Sequence, residues 1–161
     1  MGGARAQARP TSGPHLLLYD GTCGLCNDIV RAVLLRDRQG VFHFASLQST
    51  AGIEALSRFG CDSAGLDTFV AIANYRSPSA ACLIRARAAI FVLTSLGWPW
   101  RAAAPLGLLP RALLDAAYDL VARNRYRFFP RVEHCLVPRP EYRDRFLDAG
   151  GTDSPDQEVS C

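Results

Sequence analysis

Apolar residues fall along this chain in short blocks of two different periods. The run His15-Leu16-Leu17-Leu18-Tyr19 is continuous and short, as a buried strand is, whereas Cys26, Ile29, Val30, Val33 and Leu34 recur at the three-and-four spacing of one helix face. Thr22 is the expected N-cap of that helix and Gly40 its expected stop. Val41-Phe42-His43-Phe44-Ala45 reads as a second strand, joined to the first through the helix in a right-handed crossover. A short helix is expected from Ala51 to Phe59, ending at Gly60, and the β-rich segment from Asp67 to Ala73 suits a central strand. Asn74 to Ala80, with Ser77-Pro78-Ser79, reads as a loop, Ala81 to Arg85 as a short antiparallel strand, and Ala86 to Leu96 as a helix ended by Gly97. After an apolar tract broken by prolines, Pro110 opens a last helix reaching about Asn124, with Leu113, Ala117, Leu120 and Val121 as its buried stripe.

A βαβ unit followed by a helix, two strands and a further helix predicts an α/β fold: a thioredoxin-like central mixed sheet flanked by helices, with an additional C-terminal helical segment. At 161 residues and 49% hydrophobic content the chain is long enough for one domain burying about two-thirds of its unfolded surface. The folded unit is placed at residues 15–147, between a Gly, Ala, Arg and Pro-rich leader at 1–14 and an acidic disordered tail at 148–161.

Charge narrows the functional classes. The net charge is +3 with the charges scattered, so no basic stripe marks a nucleic-acid surface. All 18 basic side chains are Arg, which removes any catalytic Lys. No stretch is long enough to span a bilayer, the best of them, Ala88 to Trp100, being interrupted by Gly97 and Pro99. The leader lacks the apolar centre of a signal peptide, and a cytoplasmic location is the expectation.

Against that background the segment Asp20-Gly21-Thr22-Cys23-Gly24-Leu25-Cys26 carries the chemistry. It follows a strand and opens a helix. A helix start offers unpaired N–H groups and roughly half a positive charge, which favour thiolate over thiol, and the thiolate is the reactive species. With two residues between them, the cysteines face each other across one turn, so that Cys23, at the first helical position and expected to be the more exposed, attacks a disulfide and Cys26 resolves the mixed disulfide. With no charged residue between them, the expected fall of the Cys23 pKa below roughly 8.5 is modest. Asp20 is given two roles side by side: taking or relaying a proton for Cys26, or holding the turn by accepting backbone N–H bonds.

Tyr19-Asp20-Gly21-Thr22-Cys23-Gly24-Leu25-Cys26-Asn27 resembles the DCC family of thiol–disulfide oxidoreductases, named for its Asp and two Cys. The likeness extends to the segment from Ala116 through Tyr118-Asp119 to Arg127, and to Cys135-Leu136-Val137-Pro138-Arg139-Pro140-Glu141 with the closing Arg145-Phe146-Leu147. The resemblance implies a thioredoxin-like fold and a protein-disulfide reductase or general dithiol exchange activity. The chain departs from relatives in lacking a Ser-Asp pair to cap the helix near Ala86, and no proline precedes the strand at Asp67, where thioredoxins place a cis-proline. No organic cofactor is implied, because no glycine-rich phosphate loop is present; electrons come from an external reductant, and the partner is a disulfide-containing protein or a small thiol. Oligomeric state is left open.

The rival from another class is a zinc-stabilised or binding module that uses Cys23, Cys26, His134 and Cys135 as ligands, and a third is an inactive adaptor of the same fold. Cys61, Cys82 and Cys135 are read as buried packing residues, Cys135 keeping a second reading as a third redox thiol or ligand. Cys161 is a crosslinking hazard in the tail. His43 is expected as a packed or edge residue of a strand, and His15 and His134 lack the companions of a hydrolase triad. Arg123, Arg125 and Arg127 are read as solvating a helix end in preference to holding an anion, and the Trp98 and Trp100 tract as core closing over the sheet in preference to a docking surface.

Overall fold

The computed structural model of the chain describes residues 13–61, 69–97, 99, 102, 105, 107–129, 131 and 139–149. Strand β1 (His15–Tyr19) leads through a loop into helix α1 (Gly24–Arg36), and β2 (Phe42–Ser46) returns parallel to β1, pairing Leu17 with Phe44 and Tyr19 with Ser46. Helix α2 (Thr50–Phe59) follows, then β3 (Val70–Ala73), antiparallel to β1, and β4 (Ala81–Ile84), antiparallel to β3. Helices α3 (Arg85–Ser95) and α4 (Arg111–Phe128) and a short 3-10 turn (Pro140–Arg145) complete the described elements. The strand order β2-β1-β3-β4 is the expected mixed sheet of thioredoxin-like type.

Strand alternation divides the core into two faces. Leu17, Tyr19 and Phe44 point to the side covered by α1 and α3, where Val30, Val33, Phe91 and Phe146 pack against them. Leu16, Leu18, Val70 and Ile72 point to the other side, toward Ala55 of α2. Gly52 is what lets α2 come so close: a Cβ there would sit 2.0 Å from the Ser46 carbonyl oxygen. The helix is capped by the Ser49 hydroxyl, which accepts from the Gly52 N–H, and ends on Gly60 in the left-handed conformation (φ 59°), the stop that the sequence placed there.

Four expectations are corrected. Helix α1 ends at Arg36, not at Gly40, because Asp37 ends it and turns its carboxylate onto the Val41 and Phe42 N–H groups to start β2; Gly40 (φ 67°) serves the turn between them. Helix α4 continues to Phe128, and its expected buried stripe is not buried: Leu113, Ala117, Leu120 and Val121 are exposed, since α4 packs on α3 and not on the sheet, leaving Leu114 and Tyr118 half-buried. Asp148 is not free of the domain, as its carboxylate accepts the Ser46 N–H at 2.7 Å. Cys61 and Cys82 are not separate packing residues but a disulfide, Cα atoms 5.9 Å apart, tying the end of α2 to β4. The Ala86 helix does begin without a side-chain cap, at Arg85 with φ 55°. Asp67, Thr68, Trp98 and Trp100 lie outside the described residues.

A buried ion pair fixes the C-terminal segment. Arg145 pairs with Asp37, donates from Nε to the Phe42 carbonyl at 3.0 Å and stacks over the Phe44 ring. Asp37 is buried, and losing its partner leaves a charge that water does not reach. Arg145→Met is therefore expected to cost about 3 kcal/mol of stability, the lower end for breaking a buried pair, which urea denaturation measures.

Candidate active site

The site is assembled where the C-terminal ends of the parallel strands β1 and β2 meet. Asp20, buried at the end of β1, accepts at Oδ1 from the Thr22 N–H (3.0 Å), the Thr22 hydroxyl (2.8 Å) and Gln48 Nε2 (3.0 Å). Gln48 in turn accepts the Gly21 N–H at Oε1, 3.2 Å away, and Asn27 Nδ2 donates to the Gly21 carbonyl at 3.2 Å. The Cys23 N–H donates to the Asp20 carbonyl at 3.1 Å. Every bond of this set shapes the loop that presents Cys23.

Cys23 itself is the N-cap of α1, a place the sequence assigned to Thr22. Its Sγ accepts the Cys26 N–H at 3.3 Å, and its carbonyl accepts from the Asn27 N–H at 3.0 Å. Thr22 lies one residue too early, since the helix begins at Gly24, and its hydroxyl is turned back onto Asp20. A sulfur at the N-cap takes the N–H that Ser or Asp oxygens usually take, and negative charge on it is stabilised by that donor and by the helix dipole. The expectation that Cys23 is the more exposed thiol is overturned: it is fully buried, and Cys26 is 5% exposed. Cys23 pairs through its backbone with Arg131 in an isolated antiparallel bridge.

The surroundings of the pair are apolar. Cys23 and Cys26 belong to the core face of Leu17, Tyr19 and Phe69, and the Phe69 N–H, just before β3, donates to the Tyr118 hydroxyl of α4 at 3.2 Å. Burial, with the Asp148 carboxylate adding to it, pushes the Tyr19 phenol well above its ordinary value, so it stays neutral. Asp119 of the same α4 segment pairs with Arg85 at 3.4 Å. The segment whose likeness to relatives was noted from Ala116 onward thus braces the strand ends beside the dithiol loop.

Other candidates are not brought to this place. His43 stands on the edge strand β2 against the Tyr75 ring, its pKa lowered by desolvation and by Arg76, and His15 is buried in β1 with Nδ1 accepting the Asn74 N–H. Arg123 and Arg127 are exposed on α4. His134, Cys135 and Cys161 lie outside the described residues. Among the described residues no group of three or more His, Cys, Asp and Glu is placed to hold a metal, and no helix is long and apolar enough to cross a membrane.

Gln48, Asn27 and Tyr118 were not singled out from sequence. Asn27 stood in the quoted motif and Tyr118 in the downstream one, so both were within reach. Gln48 had one signal: in a parallel pair the loops after neighbouring strands meet, so the turn following β2 had to face the loop following β1.

The chain is 35% identical over 133 residues to YuxK of Bacillus subtilis, itself described as uncharacterized, an alignment covering 83% of this chain and 93% of that one. It is 33% identical over 121 residues to a chloroplastic DCC family protein of Arabidopsis thaliana, covering 74% of this chain and 67% of the relative. No solved structure matches the chain significantly. Residues 17–131, from the middle of β1 past α4 and including the whole dithiol loop, match the family described as DCC1-like thiol-disulfide oxidoreductase, and the chain belongs to that family.

Proposed function

We propose that the chain exchanges disulfides through Cys23 and Cys26 and acts as a protein-disulfide reductase. The observation that supports this best is the N-cap geometry: the Cys26 N–H directed at Cys23 Sγ, one turn from the second sulfur. In the first step Cys23 thiolate attacks one sulfur of a substrate disulfide, the substrate S–S bond breaks and one substrate thiolate leaves. Cys26, as thiolate, then attacks the Cys23 sulfur, the mixed disulfide breaks and the second substrate thiolate departs. Two electrons have passed to the substrate, and the pair is left as a disulfide that an external thiol reduces. Asp20 is a positioning residue in this scheme, on the strength of the three hydrogen bonds its Oδ1 accepts.

Burial sets a condition on the rate. Because Cys23 is fully buried, a substrate sulfur reaches it through local opening of the surrounding structure. Burial disfavours a thiolate while the N-cap donor favours it, so the two act in opposite directions on the same sulfur.

The test is a redox titration of the pair in glutathione and dithiothreitol buffers, read by alkylation and mass, with the other cysteines changed to Ser and zinc assayed on the unaltered chain. A reversible two-electron couple is expected. Failure of Cys23 and Cys26 to form a disulfide, or stoichiometric zinc, overturns the reading in favour of a metal-bound module.

A further inference from the structure

A cavity of about 590 Å³ lies between α1, α3 and α4, within the roughly 300–1,000 Å³ range of small-molecule sites. Ile29 of α1, Ile90 and Leu93 of α3 and Leu114 of α4 contribute to its wall, which is apolar, mostly aliphatic with the Phe69 and Tyr118 rings beside them, apart from two features. Cys26 lines it, while Cys23 does not. Arg36 lines it too, as the one charged side chain among the lining residues; it is exposed, and its Nη1 donates to the Ala32 carbonyl at 3.3 Å, which draws the guanidinium back to about 9 Å from Cys26 along the helix axis.

Apart from Phe69, whose N–H is taken by the Tyr118 hydroxyl, the walls are helical. A peptide in extended form finds no strand edge to pair with there, so the cavity suits a small molecule better than a substrate chain. Its occupant needs an apolar body to match the wall, an anionic end to add to the bonds of Arg36, and sulfur chemistry to match Cys26.

We propose that this cavity binds the reductant of the pair, an aliphatic dithiol acid of the dihydrolipoyl type, and that electrons enter through Cys26. The inference rests on the exchange reaction proposed above. One thiolate of the ligand attacks Sγ of Cys26 in the oxidised pair, the Cys23–Cys26 bond breaks, and Cys23 leaves as thiolate. The second ligand thiolate then attacks the ligand sulfur of the mixed disulfide, closing a cyclic disulfide and releasing Cys26. Two electrons pass from ligand to protein, and the two protons given up by the ligand thiols end on the cysteines or in solvent. The geometry suits this direction of attack: the leaving sulfur is the one that accepts the Cys26 N–H at the helix N-terminus, and a stabilised thiolate leaves faster. Substrate and reductant then act on different sulfurs of one pair.

The test uses the full oxidised chain and follows reduction of the Cys23–Cys26 bond by alkylation and mass. Dihydrolipoate is compared with dithiothreitol, a hydrophilic dithiol that also closes a ring, each rate normalised to that thiol's reduction of glutathione disulfide. A preference of about tenfold or more for dihydrolipoate is expected, the worth of roughly two buried methylenes. Octanoate, an aliphatic acid without sulfur, should compete away that preference, and Ala89→Phe, which fills the cavity, should reduce it toward unity. A normalised ratio near unity in the unaltered chain, or a preference that neither octanoate nor Ala89→Phe moves, overturns the cavity assignment while leaving the exchange reaction standing. Failure of the pair to oxidise at all overturns both.

Discussion

Cys23→Ser should lose disulfide exchange by at least about a thousandfold, because a serine hydroxyl is not ionised near neutral pH and cannot replace a thiolate nucleophile. Cys26→Ser should behave differently. It retains the attacking sulfur and lacks the resolving one, so the first step proceeds and the chain accumulates as a mixed disulfide with its substrate, a mass increase at Cys23 that intact-protein mass spectrometry reads. The asymmetry comes from position alone. Cys23 Sγ takes the N–H of Cys26 and faces the positive end of α1, whereas Cys26 lies one turn inside the helix on its buried stripe. If Cys23→Ser were the variant that trapped substrate, the roles assigned to the two sulfurs would be reversed. Equal loss without trapping in either variant would speak for an inactive adaptor.

The second large effect concerns stability. Cys61 and Cys82 are 21 residues apart in sequence, and closing a loop of that length removes unfolded-state entropy worth about 3 kcal/mol. The double variant Cys61→Ser with Cys82→Ser is expected to melt about 10 °C lower than the parent chain, a fall that scanning calorimetry measures. Its effect on chemistry should be small. Cys61 and Cys82 pack with the face of Leu16, Leu18 and Ile72, whereas Cys23 and Cys26 sit on the opposite face with Leu17 and Tyr19, so the sheet separates the two pairs. The redox titration of Cys23 and Cys26 is expected to keep its midpoint in the double variant. A melting point that does not move would mean that the Cys61–Cys82 bond does not form in solution. Disulfides of this kind are rare where glutathione keeps thiols reduced, so the occupancy of the bond in cells reports on the compartment in which the chain resides.

Much of this protein was legible along the chain, and the physical reason is locality. Strand β1, the stripe of α1, the Gly60 stop of α2 and the loop before β4 are each written in residues within a few positions of one another, and backbone preference and periodicity act at that range. The dithiol is local in the same sense, since a strand, an acidic residue and two cysteines one turn apart need no distant partner to be recognised.

Tertiary packing decided the rest. Thr22 is the N-cap by residue type, yet the helix begins at Gly24 with Cys23 as its cap, and the Thr22 hydroxyl turns onto Asp20, itself tied to Gln48 across 28 residues. Cys23 finds its backbone partner in Arg131, more than a hundred positions away, and the Cys61–Cys82 bond depends on two elements brought to a Cα separation of 5.9 Å. On α4, Leu113, Leu120 and Val121 form a sound amphipathic pattern, yet periodicity says only that a face exists and not what lies opposite it. The helix packed on α3 and not on the sheet, leaving between α1, α3 and α4 a cavity that contains Cys26. A chain's local preferences specify elements and reactive groups, whereas the exposure of a sulfur, the partner of a cysteine and the shape of a pocket are properties of the surfaces those elements present to one another.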